Sequence, residues 1–231
     1  MKLQWAKLTD DLIGKKDFFL IDASSYSFFK IIKYQIDKYV KGRVLDAGAG
    51  RLALKFLLNK KADKYYSMDK YITRRDLNIA GDLLYPPLKE KTFDAIVCLQ
   101  VIEHVADPDT IIKNLSACLK ESGIFILSAP HIAYLHGEPE DYYRYTKYGL
   151  AYLVEKHGLQ VLDISAAGSI FGFLFTPVSD AILAYTYKIP ILFPALFFLN
   201  YLGVQLISWI DTALFKNSIM PVNYIMVAQR R

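Results

Sequence analysis

Two groups of residues in this chain have the types and spacing to do chemistry. The first is a series of acids and glycines: Asp46, Gly48 and Gly50, then Asp69, Asp82 and Gln100. A glycine turn lets a ligand approach the backbone with no Cβ in the way. N–H groups at the start of the helix that follows add positive potential at the same spot. Asp69 lies 19 residues beyond Gly50, a spacing at which a carboxylate can take both hydroxyls of a ribose. Asp82 is placed to accept a hydrogen bond from an amino group. The plain alternatives are a turn or helix-cap role for Asp69 and a loop role for Asp82. The second group lies in 130–146, where His131, His136, Glu138, Glu140, Asp141, Arg144 and several tyrosines fall within 17 residues. Loops this dense in chemical groups usually carry function. A neutral imidazole suits a general base near neutral pH, and His136 and His131 are the candidates. His136 is favoured because Asp141 could orient it. The alternative is that Asp141 and Arg144 pair to hold the loop shut above its tyrosines.

Strands and turns must position those residues. Val44-Leu45 running into the glycines reads as a buried strand over 43–47, then a helix over about 51–60 carrying Leu52, Leu54, Phe56, Leu57 and Leu58. A helix over 26–41 comes before it, closed by Gly42, and 1–25 is a mixed N-terminal extension. Tyr65–Met68 is a second strand ending on Asp69, Leu77–Ala80 a short third, and 93–99 a continuously apolar, buried parallel strand. Gln100–Val105 follows that strand at the sheet's carboxyl edge. Asp107 and Pro108 predict the cap and first residue of a helix whose Ile111, Ile112, Leu115 and Leu119 share a face, with Gly123 ending it. Ile124–Ser128 is the next strand, stopped by Pro130. Thr146 caps a helix over 147–156, and Leu159–Ile164 and Val222–Ala228 are the last strands. Alternating strands and helices predict an α/β fold with a parallel sheet covered on both faces. Ligands bind such sheets beyond the carboxyl ends of the strands. Asp46, Gly48, Gly50, Asp69, Asp82 and Gln100 all fall at that edge.

The chain has 231 residues, enough for one large domain or a domain with an appendage. Apolar residues make up 53% and concentrate late in the chain, while the net charge of +5 is modest. Lysines cluster between Lys2 and Lys41 and again over Lys55–Lys64. They favour an anionic membrane surface or simple solubility. No arginine-rich stripe or nucleic-acid motif appears, so nucleic acid is not an expected partner. Cys98 and Cys118 lack metal-ligand spacing and read as reduced core thiols of an intracellular protein, and no metal site is expected. Lysines and aspartates without an apolar core at the N-terminus predict no signal peptide.

Read together, these residues resemble the class I S-adenosylmethionine-dependent methyltransferases, closest to the small-molecule, quinone-methylase-like branch. Val44-Leu45-Asp46-Ala47-Gly48-Ala49-Gly50 is similar to the family's first motif and Asp69 to its ribose-binding acid. Gly81-Asp82-Leu83 resembles the adenine-side loop. Phe93–Val97 with Val101–Val105 resembles the "FDxV…xxEHv" signature, and Leu119–Phe125 the "LkpGG" turn. The resemblance implies S-adenosyl-L-methionine as cofactor, bound by Asp46, Gly48, Gly50, Asp69, Asp82, Leu83 and Gln100. It implies a Rossmann-like, seven-stranded, mostly parallel sheet with an antiparallel last strand. It also implies that Glu103-His104 opens a helix near the cofactor, a structural role. The third glycine of the motif is replaced here by Leu52, which would narrow the methionine end of the site or tilt the first helix. The stretch His136–Thr146 resembles an "HxxPxDYxRYT" feature of bacterial methyltransferases that modify cell-surface polysaccharide or lipid.

The family usually joins its last two strands by a short link, and here 57 residues, 165–221, intervene. Within them 189–210, 22 residues, carry no charge, and about 20 suffice to span a bilayer. A single crossing would leave the last strand on the wrong side of the membrane. Pro177, Asp180 and Lys188 interrupt a second crossing, and Pro190 and Pro194 break the first. The expectation is therefore interfacial helices or a shallow hairpin lying on the bilayer. Trp209 and Tyr185, Tyr187 and Tyr201 would sit at headgroup level, and Lys188, Lys216, Arg230 and Arg231 would meet anionic lipid. A dimer interface or an acceptor-covering lid is the alternative. The domains are then a 26–164 and 222–231 methyltransferase body, the 1–25 extension and the 165–221 apolar insertion. The expected activity is O-methylation of a lipid-linked or cell-surface glycan precursor by a cytoplasmic protein, peripheral or monotopic at the inner face of the membrane, with His136, His131 and Asp141 as catalytic candidates. The alternatives are methylation of a quinone-like isoprenoid lipid and a non-catalytic module that anchors a membrane assembly.

Overall fold

A computed structural model describes residues 2–72, 75–214 and 220–231. Its elements in chain order are α1 (Lys2–Leu12), α2 (Ala23–Tyr39), β1 (Arg43–Ala47), α3 (Lys55–Lys61), β2 (Lys64–Asp69), β3 (Ile79–Ala80), β4 (Phe93–Leu99), α4 (Pro108–Cys118), β5 (Leu119–Pro130), α5 (Lys147–Glu155), β6 (Leu159–Ala167), α6 (Ile170–Thr186), α7 (Leu192–Leu214) and β7 (Asn223–Arg230). Tight 3-10 turns lie at Lys16–Leu20 and Ile102–His104. All seven strands join one sheet in the order β3-β2-β1-β4-β5-β7-β6, mostly parallel, with the last strand antiparallel. This is the Rossmann-like arrangement expected. The chain forms two compact units, one of 32–165 with 224–231 and the other of 1–31 with 166–223.

In the first unit, β1 lies between β2 and β4, pairing Leu45 with Tyr66 on one side and with Ile96 on the other, both in parallel. The chain winds outward from β1 to β3, returns to β4, and winds outward again through β5. The carboxyl ends of β1 and β4 therefore face a topological switch point, where such sheets leave a crevice. The core beneath it is continuous. Leu45, Ile96, Cys98, Phe125 and Leu127 of the strands are buried with Ile111, Ile112 and Leu115 of α4. Each such side chain stabilises the fold by roughly 1.5–3 kcal/mol relative to exposure.

Three local features depart from the sequence-based expectation. The helix after the glycine turn begins at Lys55 rather than near residue 51, because Leu52 takes the left-handed conformation (φ 62°) that a glycine would adopt freely. Leu52 is 3% exposed, so its burial offsets that strain. Helix α4 ends at Cys118 and not at Gly123. Its last carbonyls are drawn out of the helix: Nη1 of Arg230 donates to the carbonyls of Ser116, Ala117 and Leu119, and Thr92 N–H donates to that of Cys118 (2.8 Å). Leu119 already pairs with Phe93 in the sheet. The third strand has two residues instead of four. Arg230 is thereby committed inside the fold and is not free for a lipid headgroup. Lys216 lies outside the described residues.

In the second unit α6 and α7 pack on each other and α6 on α1. Leu8, Ile21 and Leu183 are buried together there, with Trp5, Phe193 and Phe197 against them. Neither helix is broken by its proline. Pro177 lies inside α6, and Pro194 falls in the first turn of α7, where the missing N–H has no intrahelical partner to lose. The stretch 2–20, unassigned from sequence, contributes α1 and a 3-10 turn.

Candidate active site

The crevice at the switch point is a cavity of about 500 Å³, within the range of nucleotide-sized ligand sites. Gly48, Gly50, Asp69, Asp82, Leu83 and Gln100 line it, six of the seven residues expected to hold the cofactor. Asp46 does not line it. Its buried carboxylate accepts from the Tyr65 hydroxyl (2.9 Å), and burial, with the charge of Asp69 adding to it, pushes its pKa up to about 7. Burial likewise holds the Tyr65 phenol above its ordinary value.

The turn itself has the form a bound nucleotide needs. Gly48 has φ 73°, and a Cβ there would lie 2.4 Å from Val101 Cγ2. At Gly50 (φ 49°) a Cβ would meet nothing within 4 Å, which leaves the backbone open to a ligand. Asp69 Oδ2 accepts the Gly50 N–H (2.7 Å) and its Oδ1 the Tyr71 N–H (2.9 Å). A carboxylate has about four acceptor positions, so two remain for the vicinal hydroxyls of a ribose. Asp82 Oδ1 accepts the Leu84 N–H (2.9 Å), which holds the Leu83 loop against the cavity. Gln100 (φ 54°) is fixed by its Nε2 donating to Ser128 Oγ (3.0 Å). The residues present therefore fit an adenosine-containing ligand: an acid pair, a side-chain-free turn and an apolar wall of Leu83, Val101 and Ile111.

The loop 131–146 is built on Arg144. Its guanidinium donates to both Asp141 oxygens (2.6 and 2.8 Å) and to the carbonyls of Tyr134 and Tyr143. That pairing holds the Asp141 carboxyl well below the usual carboxylate range. Asp141 accepts the backbone N–H of His136 (3.0 Å), while its Oδ2 lies 3.8 Å from the ring Nδ1. Asp141 thus closes the loop with Arg144 and holds the His136 backbone, while the His136 ring is oriented by the Tyr134 carbonyl (3.0 Å) and not by Asp141. The loop docks on the turn after β4, where Tyr142 N–H donates to the Glu103 carbonyl (2.8 Å). His131 lies away from the cavity lining, with Nδ1 at the Tyr145 carbonyl (2.9 Å). His136 is 41% exposed and is not in the lining either, but its ring stands edge-on to that of His104 at 4.8 Å, and His104 does line it.

Glu103 and His104 occupy the 3-10 turn and do not open a helix; α4 starts four residues later, at Pro108. Glu103 is fully buried, and neither carboxylate oxygen has a hydrogen-bond partner among the described residues. Burial pushes its pKa up to about 8. Sequence reasoning passed over His104, Tyr71, Val101, Glu140 and Tyr142 as lining residues. Val101 adjoins Gln100, Tyr71 lies two residues beyond Asp69, and Glu140 and Tyr142 adjoin Asp141 in the loop 131–146.

A family model described as a methyltransferase domain matches residues 24–164. No curated protein matches at the sequence level. Among solved structures the fold resembles the cyclase SpnF (16% identity, 87% of this chain and 80% of that one, TM-score 0.60). It also resembles a SAM-dependent methyltransferase from Archaeoglobus fulgidus (14%, 87% and 94%, 0.55). A third is a Burkholderia thailandensis 1,6-didemethyltoxoflavin-N1-methyltransferase with bound 1,6-didemethyltoxoflavin and S-adenosylhomocysteine (15%, 90% and 78%, 0.57). The chain therefore belongs to the methyltransferase-domain family and has the fold of the class I S-adenosylmethionine-dependent enzymes.

Proposed function

We propose that the protein moves a methyl group from S-adenosylmethionine to a hydroxyl of a lipid-linked or cell-surface glycan precursor, at the cytoplasmic face of a membrane. S-adenosylmethionine, when bound, supplies an electrophilic methyl carbon. In this reading Asp69 takes the ribose hydroxyls, Asp82 the adenine amino group, and the Gly48–Gly50 backbone the methionine side, with Asp46 bracing the turn from beneath. Leu83 and Gln100 close the cavity. His136 takes the acceptor's proton: a carbonyl at its Nδ1 (Tyr134, 3.0 Å) can only accept, so Nδ1 carries the hydrogen and Nε2 is the basic nitrogen. His131 is the second candidate, fixed the same way by Tyr145.

The observation that carries the membrane part is the inverted polarity of α7. Asn200, Val204, Ser208 and Asp211 share one face, three of them buried, and their polar groups serve the protein. Asn200 donates to the carbonyls of Leu20 and Ile21, and Asp211 accepts the Gly172 N–H (3.0 Å) in the first turn of α6. The opposite face shows Leu199, Leu202, Leu206 and Trp209, all exposed. Exposed Leu174, Val178 and Ile182 repeat the pattern on α6 above inward-facing Thr176. A helix in water turns its polar face outward; this arrangement is what lipid selects.

The donor reading is tested by calorimetry with S-adenosylhomocysteine. We expect one site, weakened about 10- to 100-fold by Asp69→Ala, as removal of a charged hydrogen-bond acceptor implies. Absence of binding favours the reading of a non-catalytic module that anchors a membrane assembly.

A further inference from the structure

We propose that Glu103, His104 and His136 form a site for one first-row divalent cation of the zinc or manganese type, at the wall of the cavity. One carboxylate oxygen of Glu103 and one ring nitrogen from each histidine lie within 4.8 Å of one another. Three ligands bonded to a common ion at about 2.1 Å sit about 3–3.5 Å apart. Small side-chain movements close that gap.

Three observations point to a ligand. First, both imidazoles are oriented by backbone carbonyls at Nδ1, His104 by Glu140 and His136 by Tyr134. Carbonyls only accept, so Nδ1 carries a hydrogen in both rings, and in the neutral form of each the lone pair is on Nε2. Metal-binding histidines are held in this way by their outer contacts. Second, Nε2 of His104 faces Glu103 Oε1 at 3.9 Å, too far for a hydrogen bond. Glu103, fully buried, has no partner on either oxygen among the described residues. A buried carboxylate normally has a donor or a cation. Third, the two segments are locked together. Tyr142 and Tyr143 N–H both donate to the Glu103 carbonyl, and Arg144 braces the loop that carries His136. Two imidazoles and a carboxylate select transition-metal ions over magnesium or calcium. Three protein ligands leave at least one open position, as catalytic sites do. His104 lines the cavity, which puts one of the three ligands at its wall.

The use of the cation rests on the methyl-transfer reading; its binding does not. If the acceptor is a hydroxyl, its oxygen takes the open position and loses its proton to solvent water more readily. The oxygen–methyl bond then forms as the sulfur–methyl bond breaks. With the cation bound His136 serves as a ligand, and the proton that it takes in the metal-free reading goes to solvent water instead.

The test uses chelator-treated full-length protein titrated with Zn²⁺, Mn²⁺ or Co²⁺ alone, followed by calorimetry and, for Co²⁺, visible absorption. We expect one equivalent, with affinity reduced more than about tenfold in His136→Ala and in Glu103→Gln and unchanged in the His157→Ala control. His136 is partly exposed, so its variant folds even if the Glu103 variant does not. No stoichiometric binding, or binding that survives His136→Ala, overturns the proposal. S-adenosylhomocysteine binding measured in the same chelator-treated parent protein separates the two readings: donor without cation leaves methyl transfer standing and removes the metal, and cation without donor does the reverse.

Discussion

Asp46 has little water around it and one hydroxyl for a partner, and its pH behaviour follows from that. Its pKa in the folded chain is about 7, raised by burial, against about 4 in an unfolded chain. Between those values the folded state holds a proton that the unfolded state has lost. Stability therefore falls as pH rises through this window, and the full cost is present above pH 7. Asp46→Asn keeps an oxygen for the Tyr65 hydroxyl and removes the buried charge. We expect the variant to melt above the parent at pH 8, by an amount on the order of 4 kcal/mol, with the advantage shrinking toward pH 4. An advantage independent of pH would show that the carboxyl is not the titrating group. Leu52 shows the opposite trade at the same turn. Left-handed backbone costs a leucine about 1–2 kcal/mol, and burying its side chain returns roughly 1.5–3 kcal/mol, so a non-glycine stands where the family has a glycine. It is not among the cavity-lining residues, so narrowing of the methionine end is not its effect here; the delayed start of α3 is.

At the scale of elements, the loop 131–146 has little apolar burial and depends on one guanidinium. Arg144 ties Asp141 to the carbonyls of Tyr134 and Tyr143, in a segment whose Tyr134, Leu135, Tyr142 and Tyr143 are exposed. We expect Arg144→Ala to leave the sheet intact, with a melting shift corresponding to about 1–2 kcal/mol, while chymotrypsin cleaves within 131–146 at least tenfold faster, as loss of local order predicts. Equal cleavage rates would show that the loop holds without the pair. The C-terminal strand acts at this scale too. Arg230 ends α4 from β7, so a helix boundary depends on a residue more than a hundred positions away.

At the scale of the molecule, the proposed membrane location rests on the exposed apolar faces of α6 and α7. Trp209 is 68% exposed on the apolar face of α7, which makes it a probe. We expect the full-length protein to float with phosphatidylethanolamine–phosphatidylglycerol vesicles and the fluorescence of Trp209, isolated in a Trp5→Phe background, to shift to the blue. Leu199→Glu combined with Leu206→Glu should abolish both, because each charge would have to leave water or drag the face out of lipid. A detergent-free protein that stays with the aqueous fraction as a dimer would show that a second copy covers this face instead.

The sequence by itself determined whatever depends on neighbours along the chain. The strand at 43–47, the strand at 93–99, the Asp107 and Thr146 helix caps and the Gly48–Gly50 turn all follow from short-range pattern, because apolar runs, caps and φ requirements are local. Asp69 and Asp82 were legible at the cavity because a parallel α/β order sends every strand's carboxyl end to one edge. Tertiary structure decided what needs partners distant in sequence. It ended α4 early, took Asp46 out of the lining, separated His131 from the cavity, and turned the polar face of α7 inward. It also gathered Glu103, His104 and His136, which lie up to 33 residues apart, around an unpartnered carboxylate. Spacing cannot reveal such a cluster, because its geometry is set by how a loop folds back onto a turn.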